Sequence, residues 1–399
     1  MNKKTKNIIL VALLVLIVGS IWYLESKKAP ILTNTPDIVV APVTSSSTAA
    51  VASQSSTSSP MSGSTAPVIN RSAIIAQEAA EFPKAKEIVD PSGFINTAPG
   101  FTLSSIAGKK VILVDFWTYS CINCLRTIPY LNAWYQKYKD LGLEIVGIHT
   151  PEFDFEKNYD NVSAAVKMLG IQYPVVLDND MGTWNAYQNL YWPHEYLIDI
   201  DGFIVHDQIG EGDYDVTEKA IQAALRERSD VLGLNLTIPT SIVSPSDVIS
   251  IDGSQVQSPE TYFGSARNEY LANGAQGSNG TQTLTLPATF DLNALYLGGT
   301  WNFQDQFAEN TSPANIVFQY SAKNMYIVAS SASGVKVKVL LDGKPIDPSV
   351  AGADVAADGT MTIQADRLYS IVQGASYGQH TIELEVEGPG LDAYTFTFG

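Results

Sequence analysis

The chain holds only two cysteines, Cys121 and Cys124, and they stand three positions apart. The run before them, Lys110–Phe116 (KVILVDF), is almost continuously apolar, as expected of a strand buried on both faces. Behind Cys121 the residues Leu125, Ile128, Leu131 and Tyr135 recur at helical spacing, which predicts a helix over Cys121–Lys139. Cys121 then falls at or beside a helix N-terminus, where unpaired N–H groups and the helix dipole favour a thiolate. One turn further in, Cys124 is placed to attack Cys121 in a mixed disulfide and resolve it. A C-x-x-C has two blander uses: half of a metal site shared between chains, and an inert local disulfide. A disulfide scaffold and a Cys₄ zinc site within one chain are excluded by the count.

Three further residues bear on this chemistry. Asp115 lies inside the apolar strand, where burial raises a carboxyl pKa and fits it to accept the proton of the inner thiol; the alternative is a strand-end carboxylate facing water. Pro129 interrupts the dithiol helix, with or without consequence for function. Pro193, in Tyr191-Trp192-Pro193-His194-Glu195, directly precedes a strand, and a cis bond there would present backbone polar groups to a substrate chain, although sequence alone does not support that isomer. The elements that must position these residues follow in order: strands at Leu143–His149 and Tyr173–Leu177, a helix at Phe155–Leu169 between them, a hairpin of Glu195–Ile200 and Phe203–Ile209 turning on Asp201–Gly202, and a closing helix at Asp215–Arg228. The order β-α-β-α-β-β-α predicts a mixed sheet with helices on both faces.

The runs VDFWTYSCINCLRTIP and YWPHEYLIDIDG resemble the thioredoxin-like fold, and within it the TlpA- and ResA-type extracytoplasmic thiol-disulfide oxidoreductases. The resemblance implies Cys121 as surface nucleophile, Cys124 as resolving thiol, Asp115 as the carboxylate beneath them and Pro193 as a cis-proline facing the dithiol. In VGIHTPE it implies Glu152 as a second group tuning the thiols, the alternative being a solvated loop glutamate. Trp117 and Trp192, within the same motifs, are candidate substrate-binding residues together with Pro193. FWTYSCINC, GIHTPEF, SPETYFGSAR and the terminal AYTFTFG are most similar to the soluble part of DipZ-type proteins, which join such a domain to one resembling a carbohydrate-binding module. No multi-helix membrane domain accompanies them here, so the expected electron donor is a separate, unidentified membrane protein. A rival reading is a thiol peroxidase, because Thr118 stands three before Cys121; the proline expected before that threonine is missing, and after Arg126 no arginine appears until Arg226.

Beyond Ser229 short alternating runs are separated by Gly, Ser, Asn and Pro clusters, with Val335, Val337 and Val339 on one face and Lys336 and Lys338 on the other. This predicts an all-β sandwich of jelly-roll type over 230–399. Tyr262, Phe263, Tyr270, Trp301 and Tyr394 are either sugar-stacking faces or core and interface packing, and Arg267 is expected to buttress the domain interface. The four histidines are isolated, and neither a metal nor a cofactor is expected.

The N-terminus carries Lys3, Lys4 and Lys6 and then an apolar run from Ile8 to Leu24, which predicts a single membrane-spanning anchor over 1–28, a cleavable signal being the rival. Residues 29–70 are rich in Ser and Thr and nearly uncharged, a flexible tether expected to span roughly 35 Å. The thioredoxin-like domain is expected over 71–229. Lys+Arg of 24 against Asp+Glu of 41 gives a net charge of −17, which argues against a nucleic-acid partner. The reading is an anchored, extracytoplasmic oxidoreductase that reduces disulfide-containing proteins; a cell-surface binding module that keeps the fold as scaffold is the non-enzyme alternative.

Overall fold

The computed structural model describes residues 71–399 other than Asp247. The expected anchor and tether lie outside these residues; among the described residues no helix is long and apolar enough to cross a membrane.

A helix α1 (Arg71–Glu81) leads into strand β1 (Gly93–Ile95), and the sheet continues with β2 (Val111–Trp117), β3 (Leu143–His149), β4 (Val175–Leu177), β5 (His194–Ile198) and β6 (Ile204–Ile209). Their spatial order is β1-β4-β3-β2-β5-β6. The central β4, β3 and β2 run parallel, while β1 and the β5–β6 hairpin are antiparallel to them. Between the strands lie α2 (Ile122–Tyr138), α3 (Tyr159–Met168) and α4 (Gly182–Ala186), and α5 (Tyr214–Val231) closes the unit. This is the thioredoxin-like arrangement, with the expected strand and helix order. Two elements escape the sequence reading, β1 and α4, because three and five residues are too few to display a period.

Side-chain alternation along β2 divides the core. Val111, Leu113 and Trp117 face α2, α3 and α5, whose Ile128, Leu131, Trp134, Val162, Val166, Ile221 and Leu225 cover them. Ile112, Val114 and Phe116 face the other side, under Trp184 of α4 and Tyr196. Asp115 shares the parity of Leu113 and Trp117, so it points toward the dithiol helix. The β5–β6 turn is closed by Asp199, which accepts the N–H groups of Asp201 and Phe203 at 2.9 and 2.8 Å, with Gly202 at φ +83°.

The chain after α5 first lies against the thioredoxin-like unit: Glu218 accepts the N–H of Val243 at 2.7 Å, and Ile238 is buried in that core. An all-β domain follows, with β7 (Thr261–Tyr262), β8 (Gly280–Leu284), β9 (Leu295–Phe303), β10 (Ala308–Asn310), β11 (Ala314–Ser330), β12 (Val335–Leu341), β13 (Lys344–Pro345), β14 (Thr360–Ile363), β15 (Arg367–Val386) and β16 (Asp392–Phe398). The long β11 pairs with β15 along its length, with β9 near its start and with β16 near its end, so the sheet folds back around one core. Val335, Val337 and Val339 are buried there, and Lys336 is exposed on the opposite face. Phe263 and Trp301 are fully buried in the same core.

Candidate active site

Cys121 caps α2: its Sγ accepts the backbone N–H of Cys124 at 3.2 Å, an interaction that stabilises negative charge on the sulfur. Both cysteines are free thiols, with the Cys124 Sγ donating to the Cys121 Sγ at 2.6 Å. Cys121 is half-buried, whereas Cys124 is only 1% exposed. The helix runs on through Pro129 to Tyr138. Burial, then the hydrogen bond to Cys121, pushes the Cys124 thiol well above its ordinary value. The two thiols are therefore asymmetric: one is available at a surface, the other holds its proton inside.

Beneath Cys124 lies Asp115, fully buried, with neither carboxyl oxygen hydrogen-bonded to a protein group. Desolvation pushes its pKa up to about 8. Directly opposite Asp115 in the β2–β5 ladder is Glu195, also buried and on the same face. Burial and then Asp115 drive its carboxyl well above the usual range. With no cation beside either group among the described residues, Asp115 ionises first and its charge holds the proton on Glu195. The sequence reading missed Glu195, because a glutamate three before Ile198 reads as ordinary strand alternation until the register places it across from Asp115.

Glu152 is not a solvated loop glutamate. Its Oε1 accepts from Arg267 at 2.7 Å and from the Tyr262 hydroxyl at 2.8 Å, both from the β-domain. The fully buried acid of this loop is Glu156, which the sequence reading also missed. Its Oε1 accepts the Ser120 hydroxyl at 2.5 Å, and its Oε2 accepts the N–H groups of Glu152 and Phe153 at 2.6 and 3.0 Å. Burial pushes its pKa up to about 7 despite those donors. It thus ties the residue before Cys121 to the loop that carries Glu152.

Trp192–Pro193 is a cis peptide bond, and Pro193 is buried. Trp192 remains partly open, donates its indole N–H to the Thr150 carbonyl at 3.1 Å and packs on Trp184 with ring centroids 4.1 Å apart. Trp117 departs from its expected role. It is 0% exposed and packs edge-on to His149, so it supports the site from within and offers no surface to the cleft. His149, also buried, is pushed down to about 3 and stays neutral. Thr118 contacts His149 at 3.4 Å. Arg126 pairs with Glu211 through two bonds of 2.7 and 2.6 Å, which engages the guanidinium a peroxidase would aim at its substrate.

Cys121 opens into a cleft of about 280 Å³ between the two domains. One wall is Ser120, Ile122, Asn123, Glu152, Leu190, Tyr191 and Trp192; the other is Glu260, Tyr262, Arg267, Val328 and Thr397. Arg267 stacks on Tyr262 at 3.6 Å while it pairs with Glu152, the buttress expected of it. Beside the cleft Phe153 and Phe155 meet Tyr394 at centroid distances of 5.0 and 4.9 Å. Tyr262 and Tyr394 therefore belong to the domain interface.

The family described as "AhpC/TSA family" matches residues 85–207, and the one described as "Thioredoxin like C-terminal domain" matches residues 258–399. Protein DipZ of Mycobacterium bovis is 36% identical over 319 residues, 79% of this chain and 43% of that protein, so the chain spans less than half the length of that relative. Thiol-disulfide oxidoreductase ResA of Bacillus thuringiensis is 34% identical over 124 residues, 29% of this chain and 68% of the relative. A solved thioredoxin-like protein in its oxidised form is 26% identical and covers 37% of this chain and 97% of its own, with a TM-score of 0.34.

Proposed function

The chain belongs to the thioredoxin-like thiol-disulfide oxidoreductases, the family of ResA, and we propose that it reduces disulfides of secreted or membrane proteins outside the cytoplasm, held there by its N-terminal apolar segment. The Cys121 thiolate attacks one sulfur of the substrate disulfide, forming a mixed disulfide and expelling the other sulfur as a thiolate. Cys124 then gives up its proton to Asp115 in its ionised form, a fraction that grows as pH approaches about 8, and attacks the Cys121 Sγ. The second substrate sulfur leaves, and two electrons have passed from the dithiol to the substrate. A membrane electron donor returns the Cys121–Cys124 disulfide to the dithiol. Glu195 holds a neighbouring proton and keeps Asp115 from standing beside a second charge. Glu152, on the same cleft wall as Cys121, acts on the thiols from the loop after β3, and Trp192 with Pro193 receives the substrate chain. The β-domain, read as a jelly-roll sandwich, closes the site.

The observation that carries this reading is the asymmetry of the dithiol: a half-exposed Cys121 capping α2, and a buried Cys124 over an unpaired carboxyl. Cys124→Ser should trap mixed disulfides with substrate proteins that Cys121→Ser does not. Equilibration of the pair against dithiothreitol should give a potential near that of thioredoxin, about −270 mV. A value near about −120 mV would make the protein a disulfide donor instead.

A further inference from the structure

The cleft over Cys121 is built by both domains, and its ionic side chains do not balance. Glu152, Glu260 and Arg267 are the charged residues that line it. Arg267 is committed to Glu152 at 2.7 Å and lies flat on Tyr262. Glu260, at the lip of the β-domain wall, is open to solvent on one side and faces Tyr262 and Glu152 on the other, and it has no ion-pair partner within 4 Å among the described residues. The remaining lining mixes the polar Ser120, Asn123 and Thr397 with apolar and aromatic surface: Leu190 and Tyr191 are exposed on one side, and Tyr262 and Val328 stand on the other. We infer that the β-domain is a specificity wall, and that the preferred substrate is an extended, disulfide-bearing segment with a basic residue beside the cysteine, set against Glu260. This rests on the oxidoreductase reading and names the substrate class of the same site.

The geometry favours a thin segment over a folded surface. Cys121 is reached through a cleft of about 280 Å³ walled on two sides, room for a few side chains at a time. A chain entering past Tyr191 can lay its apolar side chains on the aromatic walls. Its basic residue then meets Glu260, which Arg267 faces only at longer range while it is bound to Glu152. A carboxylate in that place would face Glu260 and Glu152 together.

The test uses the full chain and two disulfide-linked peptides that differ only in carrying Lys or Glu next to the cysteine. Rates are normalised to those of each peptide with dithiothreitol, which removes intrinsic reactivity. Work at pH 8 keeps Glu260 ionised, since its ring of protein neighbours and Glu152 push it up to about 7. The quantity read is the ratio of kcat/KM for the two peptides, in which a general loss of activity cancels. The Lys peptide should be favoured about fivefold, as for a solvent-accessible ion pair. Glu260→Gln should bring the ratio to one and Glu260→Lys should invert it. Raised ionic strength should compress it in the unaltered protein, which serves if a variant misfolds. A ratio of one in the unaltered protein, or one unmoved by Glu260→Gln or by salt, overturns the inference. Hydroxyethyl disulfide separates the two levels: if it is reduced while the ratio stays at one, only the specificity wall falls, and if it is not reduced, the oxidoreductase reading falls with it.

Discussion

Asp115→Asn should stabilise the protein at neutral pH while it slows resolution of the mixed disulfide. The folded protein holds the Asp115 proton up to about 8, against an ordinary value of 3.8. Between those values the folded state binds a proton that the unfolded state has lost, so stability is fully present below about pH 4 and falls as pH rises through about 8. The slope is about 1.4 kcal/mol per pH step, which from 3.8 to pH 7 accumulates to ~4 kcal/mol. Asparagine keeps the shape and removes the titration, but its amide N–H₂ meets the same unpartnered surroundings and costs about 1–3 kcal/mol of that gain. The net expectation at pH 7 is a variant more stable by ~2 kcal/mol, with an advantage that grows from pH 5 to 8 and disappears in acid. Urea unfolding of both proteins across that range measures it directly. A stability difference that does not change with pH would mean that Asp115 ionises at its ordinary value in the folded protein, which would leave it too weak a base to take the Cys124 proton. In the same samples, release of substrate from the mixed disulfide should be slower than in the unaltered protein throughout pH 5 to 8, where Cys124 stays almost wholly protonated and needs a base.

Glu156→Gln should keep the acceptor for the Glu152 and Phe153 N–H groups and cost little, whereas Glu156→Ala should cost about 2–3 kcal/mol by leaving two N–H groups and the Ser120 hydroxyl without their partner; thermal unfolding distinguishes them. Arg267→Ala removes the ion pair with Glu152 and the stack on Tyr262, and should loosen the domain contact by about 1–3 kcal/mol, read as faster proteolysis between residues 232 and 257. Gly264→Ala should be among the most damaging small substitutions, because the added Cβ would stand 2.2 Å from the carbonyl carbon of Gln306; a fall in the melting temperature of the whole protein is expected.

The redox centre was legible because its signals are local. Cys121 and Cys124 announce themselves by spacing, and Asp115 by being the one charge in an apolar strand. The β5–β6 hairpin followed from Asp201–Gly202, and α2 from the recurrence of Leu125, Ile128 and Leu131. What stayed hidden depends on register or on distant chain. Glu195 becomes a partner of Asp115 only when β5 is laid antiparallel to β2. Glu156 sits in a short 3₁₀ turn, where no period marks one glutamate as buried and its neighbour Glu152 as half-open. Trp117, at the end of a strand next to the motif, could face either way, and the pleat turns it inward beside Leu113. The β-domain aromatics carried two readings because a ring that stacks on a sugar and a ring that packs a core look alike in sequence. Phe263 and Trp301 in the core and Tyr262 and Tyr394 against the thioredoxin-like unit are explained by packing.

The wedge of Phe153 and Phe155 against Tyr394 has a practical meaning for anyone who would isolate the redox half. Phe153 is 1% exposed, and Tyr394, Val328 and Phe307 of the β-domain are among the residues that pack in its cluster. A fragment ending after α5 would turn these rings to water within reach of a reactive thiol. Such a fragment would present a bare aromatic face beside the dithiol, open to the apolar segments of unfolded proteins. The β-domain thus works as a resident cover for its neighbour, and the reactivity of the half-molecule would overstate the appetite of the whole.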